Sequence, residues 1–256
     1  MCKSLLLLFC FSILPFRMYA DQPPLKLWYN QPATVWMTSA LPVGNGELGG
    51  MFFGGVQQER MQFNEKTLWT GHTSSRGAYQ NFGDLYLDFS GHASHTDYRR
   101  ELSLDRAIGT VSYKIGEVQY VREYFASNPD SALIMRISTP GNEGKLTFSV
   151  NLKDAHSGAT TVAGNTITMK GKLDLLSYEA QVRVLNEGGT LASDNNKISI
   201  TGADAVTILL TGATDFDINS NTYVRGTAGL HHRISTRIDE AAAKNYADLR
   251  TAHLND

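Results

Sequence analysis

Four residues near the start of the chain combine side-chain types that could bind a hydroxyl-rich ligand. The stretch that follows a glycine-dense run contains Asn64, Glu65, Thr67 and Trp69. An amide and a carboxylate can each bind hydroxyl groups in pairs. An indole ring can cover an apolar C–H face such as that of a sugar ring. These residues are therefore our candidates for contact with a substrate or with another domain.

The same stretch has a second interpretation that needs no ligand. Asn64 and Thr67 can bond the local backbone within a turn, and Trp69 can pack as part of the core. The preceding run, residues 41–50, contains four glycines and feeds a short apolar strand. Glycines of this kind allow sharp bends and close packing of backbones. The residues alone leave both interpretations open.

Three other patterns resemble ligand sites but lack parts of them. The stretch 44–49 has the glycine count of a dinucleotide fingerprint but no surrounding strand–helix unit, so we predict a tight turn. His92 and His95 have no accompanying cysteine and no clear third ligand, which favours surface histidines over a zinc site. Asp215 and Asp217 lack the glycine and closing glutamate of a calcium loop. The sequence therefore predicts no metal and no cofactor.

The elements that must position the candidate residues are short strands. Residues 146–151 alternate between apolar and polar side chains, which is typical of a half-buried strand. Residues 111–115 and 118–125 flank a glycine-containing turn and predict a hairpin. Residues 205–210 are continuously apolar, as expected for a strand that is covered on both faces. This pattern predicts an all-β fold, a large antiparallel β-sandwich, over residues 21–230.

The C-terminal segment, residues 231–256, has a different periodicity. Ile234, Ile238 and Leu249 fall near helical spacing, and three consecutive alanines from Ala241 add strong helix propensity. We therefore predict that a helical segment follows the sandwich.

The charges of the chain are nearly balanced. Twenty-three basic residues stand against 25 acidic ones, for a formal net charge of −2. This balance gives no electrostatic reason to expect a nucleic acid or an anionic membrane as partner. The charged stretches 98–101 and 122–124 interrupt strand patterns, and we predict that they form cross-strand ion pairs on a solvated or interface face.

The first twenty residues, 1–20, have the pattern of a secretory signal peptide. Lys3 supplies the positive start, and residues 5–14 form an apolar run that is too short to span a bilayer. A buried helix or an uncleaved anchor is the alternative. Both cysteines, Cys2 and Cys10, lie inside this segment. We therefore expect an exported protein, periplasmic or extracellular, with no thiol chemistry and no membrane attachment after cleavage.

Taken together, these motifs resemble the N-terminal signature of the glycoside hydrolase family 95 α-L-fucosidases. The resemblance extends over nearly the whole chain beyond the predicted signal peptide. The matching pieces are Trp28, Pro32, Ala33, Trp36, Leu41 to Gly50, Asn64 to Gly71, Gly83 to Leu85, Tyr98 to Leu102 and Arg122 to Ser127.

The resemblance implies a β-rich N-terminal domain that is joined by helical linkers to a large (α/α)6 barrel. In that family the reaction is inverting, and the catalytic glutamate, asparagines and aspartate belong to the barrel. We therefore predict no catalytic residue here, and we interpret residues 231–256 as a linker toward an absent barrel.

The implied function is that of the N-terminal domain of a secreted enzyme that removes terminal α-1,2-L-fucosyl or α-L-galactosyl residues, inactive alone. Its partners would be a fucosylated glycan, bound by the intact enzyme, and a separate catalytic-barrel chain. The alternative is a stand-alone carbohydrate-binding or structural module.

Overall fold

The protein is an antiparallel β-sandwich with helices packed on one of its outer faces. This architecture is seen in a computed structural model that describes residues 24–72, 74–75, 77–141 and 144–256. The predicted all-β fold is confirmed, because most of the regular structure lies in two antiparallel sheets. The predicted signal peptide and both cysteines lie outside the described residues.

Within the described residues the regular elements are sixteen strands and three helices. In chain order the strands are β1 Lys26–Tyr29, β2 Leu41–Gly44, β3 Leu48–Phe52, β4 Gln58–Glu65, β5 Gly83–Asp88, β6 Thr96–Ser103, β7 Ile108–Ile115, β8 Val118–Ser127, β9 Ala132–Ser138, β10 Leu146–Asp154, β11 Ala159–Ala163, β12 Thr166–Lys172, β13 Ser177–Glu187, β14 Thr190–Ser193, β15 Ile198–Ala203 and β16 Ala205–Thr214. The helices are α1 Trp36–Ser39, α2 Leu230–Ala242 and α3 Tyr246–Asn255.

Two sheets form the sandwich. The large sheet has nine strands in the order β1-β6-β7-β8-β9-β16-β13-β12-β11, and the small sheet has seven in the order β14-β15-β10-β5-β4-β3-β2. Their inner faces pack together in one apolar cluster that includes Phe52, Phe63, Leu87, Val150 and Ile208. Alternation along each strand produces this arrangement, since successive side chains point to opposite faces.

The predicted strands and hairpin are confirmed. Residues 146–151 fall within β10 and alternate between buried and more exposed positions. Strands β7 and β8 form the predicted hairpin around Gly116 and Glu117. Strand β16 is buried along its whole length, because the small sheet covers one of its faces and helix α2 contacts the other.

The C-terminal helices cover the outer face of the large sheet. Ile238 and Leu249 are fully buried in a second apolar cluster with Ile134 and Leu209, which lie on β9 and β16. Helix α3 is capped by Asn245, whose side chain accepts a hydrogen bond from the Asp248 N–H. The predicted helical segment therefore forms two helices that pack on the sandwich. Its interpretation as a linker toward a barrel stays a prediction.

A buried ion pair joins the two sheets across the core. Arg122 on β8 donates to Glu59 on β4 at 3.1 Å, and both side chains are fully buried. The Glu59 carboxylate also accepts the Tyr124 hydroxyl at 2.9 Å and the Gly54 N–H at 2.9 Å. Gly54 must be glycine, because its φ is +74° and a Cβ there would lie 2.4 Å from the hydroxyl of Tyr98.

The prediction of ion pairs on a solvated or interface face is wrong for two arginines of these strands. Arg122 pairs with Glu59 in the interior, and Arg100 is only 1% exposed. The Arg100 guanidinium donates to the backbone oxygen of Ser39 at 2.7 Å. Both arginines thus anchor the strands to segments distant in sequence. Glu123 lies on the outer face of the same strand as Arg122, where it accepts a hydrogen bond from the Tyr246 hydroxyl of α3.

Within the described residues, none of the helices combines the length and apolar character needed to cross a bilayer.

Candidate functional site

The four predicted site residues lie at and beyond the end of β4, where alternation sends neighbours to opposite faces. Asn64 is half-buried on the outer face of the small sheet, whereas Glu65 points inward and is 3% exposed. Thr67 and Trp69 follow in the segment that leaves the strand. The structure therefore does not gather the four side chains around one point.

Glu65 and Thr67 form a local hydrogen-bonded turn. The Glu65 carboxylate accepts both the backbone N–H of Thr67, at 2.9 Å, and its hydroxyl, at 2.5 Å. The Thr67 hydroxyl also contacts that of Thr214 on the large sheet at 2.5 Å. Burial raises the pKa of Glu65 above its ordinary value, and the hydrogen bonds from Thr67 oppose the shift. These contacts ensure that the strand end is firmly attached to the sandwich.

Trp69 positions the ring of Tyr79. The two ring centroids lie 6.5 Å apart in a tilted arrangement. Backbone hydrogen bonds hold the two flanking segments together: Thr70 N donates to Ala78 O and Gln80 N donates to Leu68 O, both at 3.0 Å. The result is a rigid rim from which the Tyr79 side chain, 70% exposed, projects into solvent.

A groove opens on the outer face of the small sheet, over strands β2, β3 and β4. Its volume is about 550 Å³, and we call it the outer groove. Its floor is formed by outward-facing residues of the strands, and its lining includes Trp36, Met51, Gln62, Asn64, Tyr79 and Asn81. Both volume and lining are typical of a small-molecule site, which is concave and mostly apolar with a few placed polar groups.

The register of the strands explains the flat floor of the outer groove. Gly44 pairs with Gly49, and Gly49 pairs with Asn64 across the sheet. An added Cβ at Gly49 would meet only the Val43 oxygen, at 4.0 Å. The neighbouring Gly50 faces inward, where a Cβ would lie 3.1 Å from the sulfur of Met61. Gly49 thus leaves space on the outer face of the sheet, and Gly50 permits close packing on the inner face.

Apart from the Tyr79 hydroxyl and the Trp36 indole N–H, the polar side-chain atoms of the described lining belong to amides. Among the described residues that line it, none is charged. The Asn64 Oδ1 accepts its neighbour's backbone N–H at 2.8 Å, so its Nδ2 is the atom left to face a ligand. The Oδ1 of Asn81 is buried and has no hydrogen-bond partner within the described part of the chain. A buried acceptor without a partner is costly.

A second groove of about 500 Å³ lies beside Trp69 and is lined by Phe216, Ile218 and Tyr223. The Phe216 and Tyr223 rings stack at 6.2 Å. Among the described residues that line this second groove, none carries a side-chain amide.

A cluster on the helix-covered face joins α2 to β13. The buried Glu179 carboxylate lies 2.6 Å from Nδ1 of His231 and 3.1 Å from Nζ of Lys170. Gln181 donates to the same carboxylate at 2.8 Å and to Ser235 at 3.0 Å. The cluster attaches the helix to the sheet, and the cavities described above do not open onto it.

The remaining sequence patterns have structural explanations. His92 is 6% exposed and hydrogen-bonded to Tyr113, so the prediction of a surface histidine is wrong for it. Desolvation and the nearby Arg122 charge lower the pKa of His92 to about 4. Asp217 accepts the Asn219 N–H in a turn. The glycine-rich stretch 44–49 is a tight turn, as predicted, in which Asn45 accepts two backbone N–H groups. Within the described ranges, no group of His, Cys, Asp or Glu side chains could hold a metal ion.

Sequence reasoning missed most of the outer groove. Trp36 stood among the matched motif residues without a role, and Gln62, Tyr79 and Asn81 carried no recognisable pattern. The alternation of β4 could have placed Gln62 beside Asn64 on one face. Nothing local in the sequence could have brought Trp36 and Tyr79 together with these residues.

A protein-family model matches most of the chain. The family model described as "Glycosyl hydrolase family 65, N-terminal domain" matches residues 27–77 and 72–219.

The curated relatives carry fucosidase names. The chain is 30% identical to "Alpha-L-fucosidase 2" of Arabidopsis thaliana over 91% of its own length and 35% of the relative. It is 23% identical to "Probable alpha-fucosidase A" of Aspergillus niger over 90% of its length and 36% of the relative. The chain thus spans about a third of the length of the curated relatives it matches.

Among solved structures, a putative kojibiose phosphorylase from human microbiome is similar with a TM-score of 0.49 and 12% identity, over 84% of this chain and 34% of that one.

Proposed function

Because this chain belongs to the family of glycosyl hydrolase family 65 N-terminal domains, we propose that it is the N-terminal domain of an exported α-L-fucosidase-like glycoside hydrolase. The intact enzyme would hydrolyse terminal α-1,2-linked L-fucosyl or α-L-galactosyl residues. The observation that carries this proposal is the identity of 30% with a protein named alpha-L-fucosidase 2 over nearly the whole chain. The fucosidase name of a second curated relative supports the same class of substrate.

The chemistry of the described residues supports a domain that does not catalyse hydrolysis alone. Glycoside hydrolysis usually needs two carboxyl groups that flank the bond to be cleaved. The outer groove has no carboxylate among its described lining residues. The carboxylates of Glu59 and Glu179 are buried and occupied by ion pairs. We therefore assign the acid and base to the part of the enzyme that corresponds to the remaining two thirds of the curated relatives.

The proposed partners follow from this division of roles. A fucosylated glycan would be bound by the intact enzyme, and an (α/α)6 barrel, within the same protein or as a separate chain, would supply the catalytic groups. The proposed location is the periplasm or the cell exterior.

The test is hydrolysis of 2′-fucosyllactose, measured as released fucose. One sample is the chain alone, and the other is the chain joined to the remaining two thirds of the Arabidopsis relative. We expect release from the joined protein above a heat-inactivated control and none from the chain alone. Turnover by the chain alone, or a folded joined protein without turnover, would contradict the proposal.

A further inference from the structure

We infer that the outer groove binds one ring of a neutral glycan. The choice of carbohydrate as ligand class rests on the proposed function, whereas the location and the neutrality of the ligand rest on the groove itself. The groove measures about 550 Å³, which is enough for a sugar ring with its neighbouring linkage. It lies on the outer face of the small sheet, which helices α2 and α3 leave uncovered.

The floor of the outer groove accepts a flat ligand. Gly49 on β3 contributes no side chain to the floor, and Asn64 lies opposite it on β4. In the next row Met51 lies opposite Gln62. A ring that rests on this floor contacts backbone and a thioether on its apolar side, and reaches two amides at one edge. That distribution matches a pyranose ring, which has apolar C–H groups on its faces and hydroxyls around its edge.

The amides specify a hydroxyl-bearing, uncharged ligand. Asn81 lines the outer groove, and its Oδ1 is buried with no partner within the described residues. A turn of this side-chain amide about its Cβ–Cγ bond would present the acceptor to a ligand hydroxyl. The Nδ2 of Asn64 is a donor, since the Oδ1 of that side chain is already bonded to the backbone. Gln62 supplies both a donor and an acceptor. Because the described lining carries no charged side chain, a carboxylate or phosphate on the ligand would lose its hydration without a compensating charge.

Two aromatic side chains, Trp36 and Tyr79, form walls of the outer groove. Trp36 and Tyr79 are 43% and 70% exposed, so each ring has a face free to cover the apolar side of a ligand. Both are held in place from behind. Arg100 bonds the end of α1, which carries Trp36, and the Trp69 ring lies against Tyr79. Trp69 therefore acts as a positioning residue for the wall rather than as a contact.

Another domain of a longer protein is the competing occupant of the outer groove. We favour a glycan because a packed protein surface would leave the Asn81 acceptor and the neighbouring amides to be matched individually by its own donors. Hydroxyls around a sugar ring satisfy several such atoms at once. If the groove binds no sugar, we would assign this surface to contact with another domain instead. The test below includes this outcome.

The test is a titration of the purified chain with 2′-fucosyllactose and with a fucosylated xyloglucan oligosaccharide, both neutral. Binding is followed by the side-chain amide signals in a proton–nitrogen correlation spectrum. We expect the signals of Gln62 and Asn64 to shift with at least one of the two sugars.

Matched variants locate the site. Trp36→Ala and Trp28→Ala each remove an exposed tryptophan, 43% and 57% exposed respectively, but only Trp36 lines the groove. We expect Trp36→Ala to weaken binding by about tenfold or more and Trp28→Ala to leave it unchanged, since aromatic anchors dominate binding energy. Gly49→Leu fills the floor from a position with open space and should weaken binding by a similar factor.

Shifts at neither amide with either sugar would overturn the inference, as would equal affinities for the parent chain, Trp36→Ala and Gly49→Leu. Failure here is distinguishable from failure of the proposed function. A joined protein that releases fucose while the groove binds no sugar retains the function and overturns the inference. A groove that binds sugar in the absence of any such hydrolysis retains the inference and contradicts the function.

Discussion

On the large sheet the outer face is apolar and carries helices α2 and α3, whereas on the small sheet it is open and carries amides, charges and a groove. Ile134 and Leu209 are fully buried beneath the helices. On the outer face of the small sheet, Gln62 and Asn64 are only half-buried. The difference shows that the helices complete the sandwich, since they cover a face that could not remain exposed to water. A binding function belongs on the other face.

The largest expected effect on stability comes from a substitution on the helix-covered outer face of the large sheet. Ile238→Ala removes a fully buried side chain between α2 and the large sheet, and should lower the free energy of unfolding by about 3 kcal/mol because it leaves a cavity. The control on the open face, Gln62→Ala, should change it by less than about 0.5 kcal/mol. Urea unfolding measures both. Equal effects would mean that the helices do not form part of the folded core.

A smaller effect on stability should distinguish the inner and outer faces of the small sheet at two consecutive residues, Gly49 and Gly50. Gly50→Leu directs a side chain against Met61 in the core, where an added Cβ would lie 3.1 Å from the sulfur. We expect a loss of about 2 kcal/mol from overpacking. Gly49→Leu directs the same side chain into the outer groove and should leave stability within about 0.5 kcal/mol. Thermal unfolding of the two variants side by side measures this difference. A lower melting temperature for Gly49→Leu than for Gly50→Leu would contradict this assignment.

The smallest effect concerns Glu65, which points inward beside the outward Asn64. Burial raises the pKa of Glu65 in the folded state above the ordinary value of 4.5. The ionised carboxylate is therefore less favourable in the folded chain than in the unfolded chain, and it lowers stability at neutral pH. Glu65→Gln should therefore raise the melting temperature at pH 7. The gain should shrink as the pH falls, because protonation of the native carboxyl removes the buried charge. The effect is small because hydrogen bonds from Thr67 already stabilise the carboxylate.

The control for this pH dependence is Glu117→Gln, at the exposed turn between β7 and β8. We expect no pH-dependent difference from the parent chain. A Glu65→Gln variant that melts below the parent at pH 7 would show that the hydrogen bonds outweigh the cost of burial.

The local elements could be predicted from the sequence because their signals are local. The hairpin around Gly116, the alternating strand 146–151 and the apolar strand 205–210 each rest on neighbouring residues. Arg122 could not be placed, because its partner Glu59 is on the other sheet and separated by 63 residues. Without that partner, a charge in a strand is best assigned to a solvated face.

The candidate site was predictable only in part for the same reason. The stretch 64–69 stood out by its residue types, and alternation then divided it between two faces. The outer groove depends on Trp36 and Tyr79, which lie on separate segments and meet β4 only in the folded chain. The alternation of a strand predicts which of its residues share a face. Which other segments pack beside that face to form a groove depends on the tertiary fold.

Hydroxyl-radical footprinting with and without the fucosylated sugar found to bind tests the contrast between the two faces most directly. In the free chain we expect strong labelling of Trp36 and Tyr79 on the open face and weak labelling of the half-buried Tyr246, the first residue of α3, on the helix-covered face. The sugar should protect Trp36 and Tyr79 and leave Trp28, 57% exposed on the far edge of the large sheet, labelled as before. Unchanged labelling of Trp36 and Tyr79 at a saturating concentration of sugar would contradict the account.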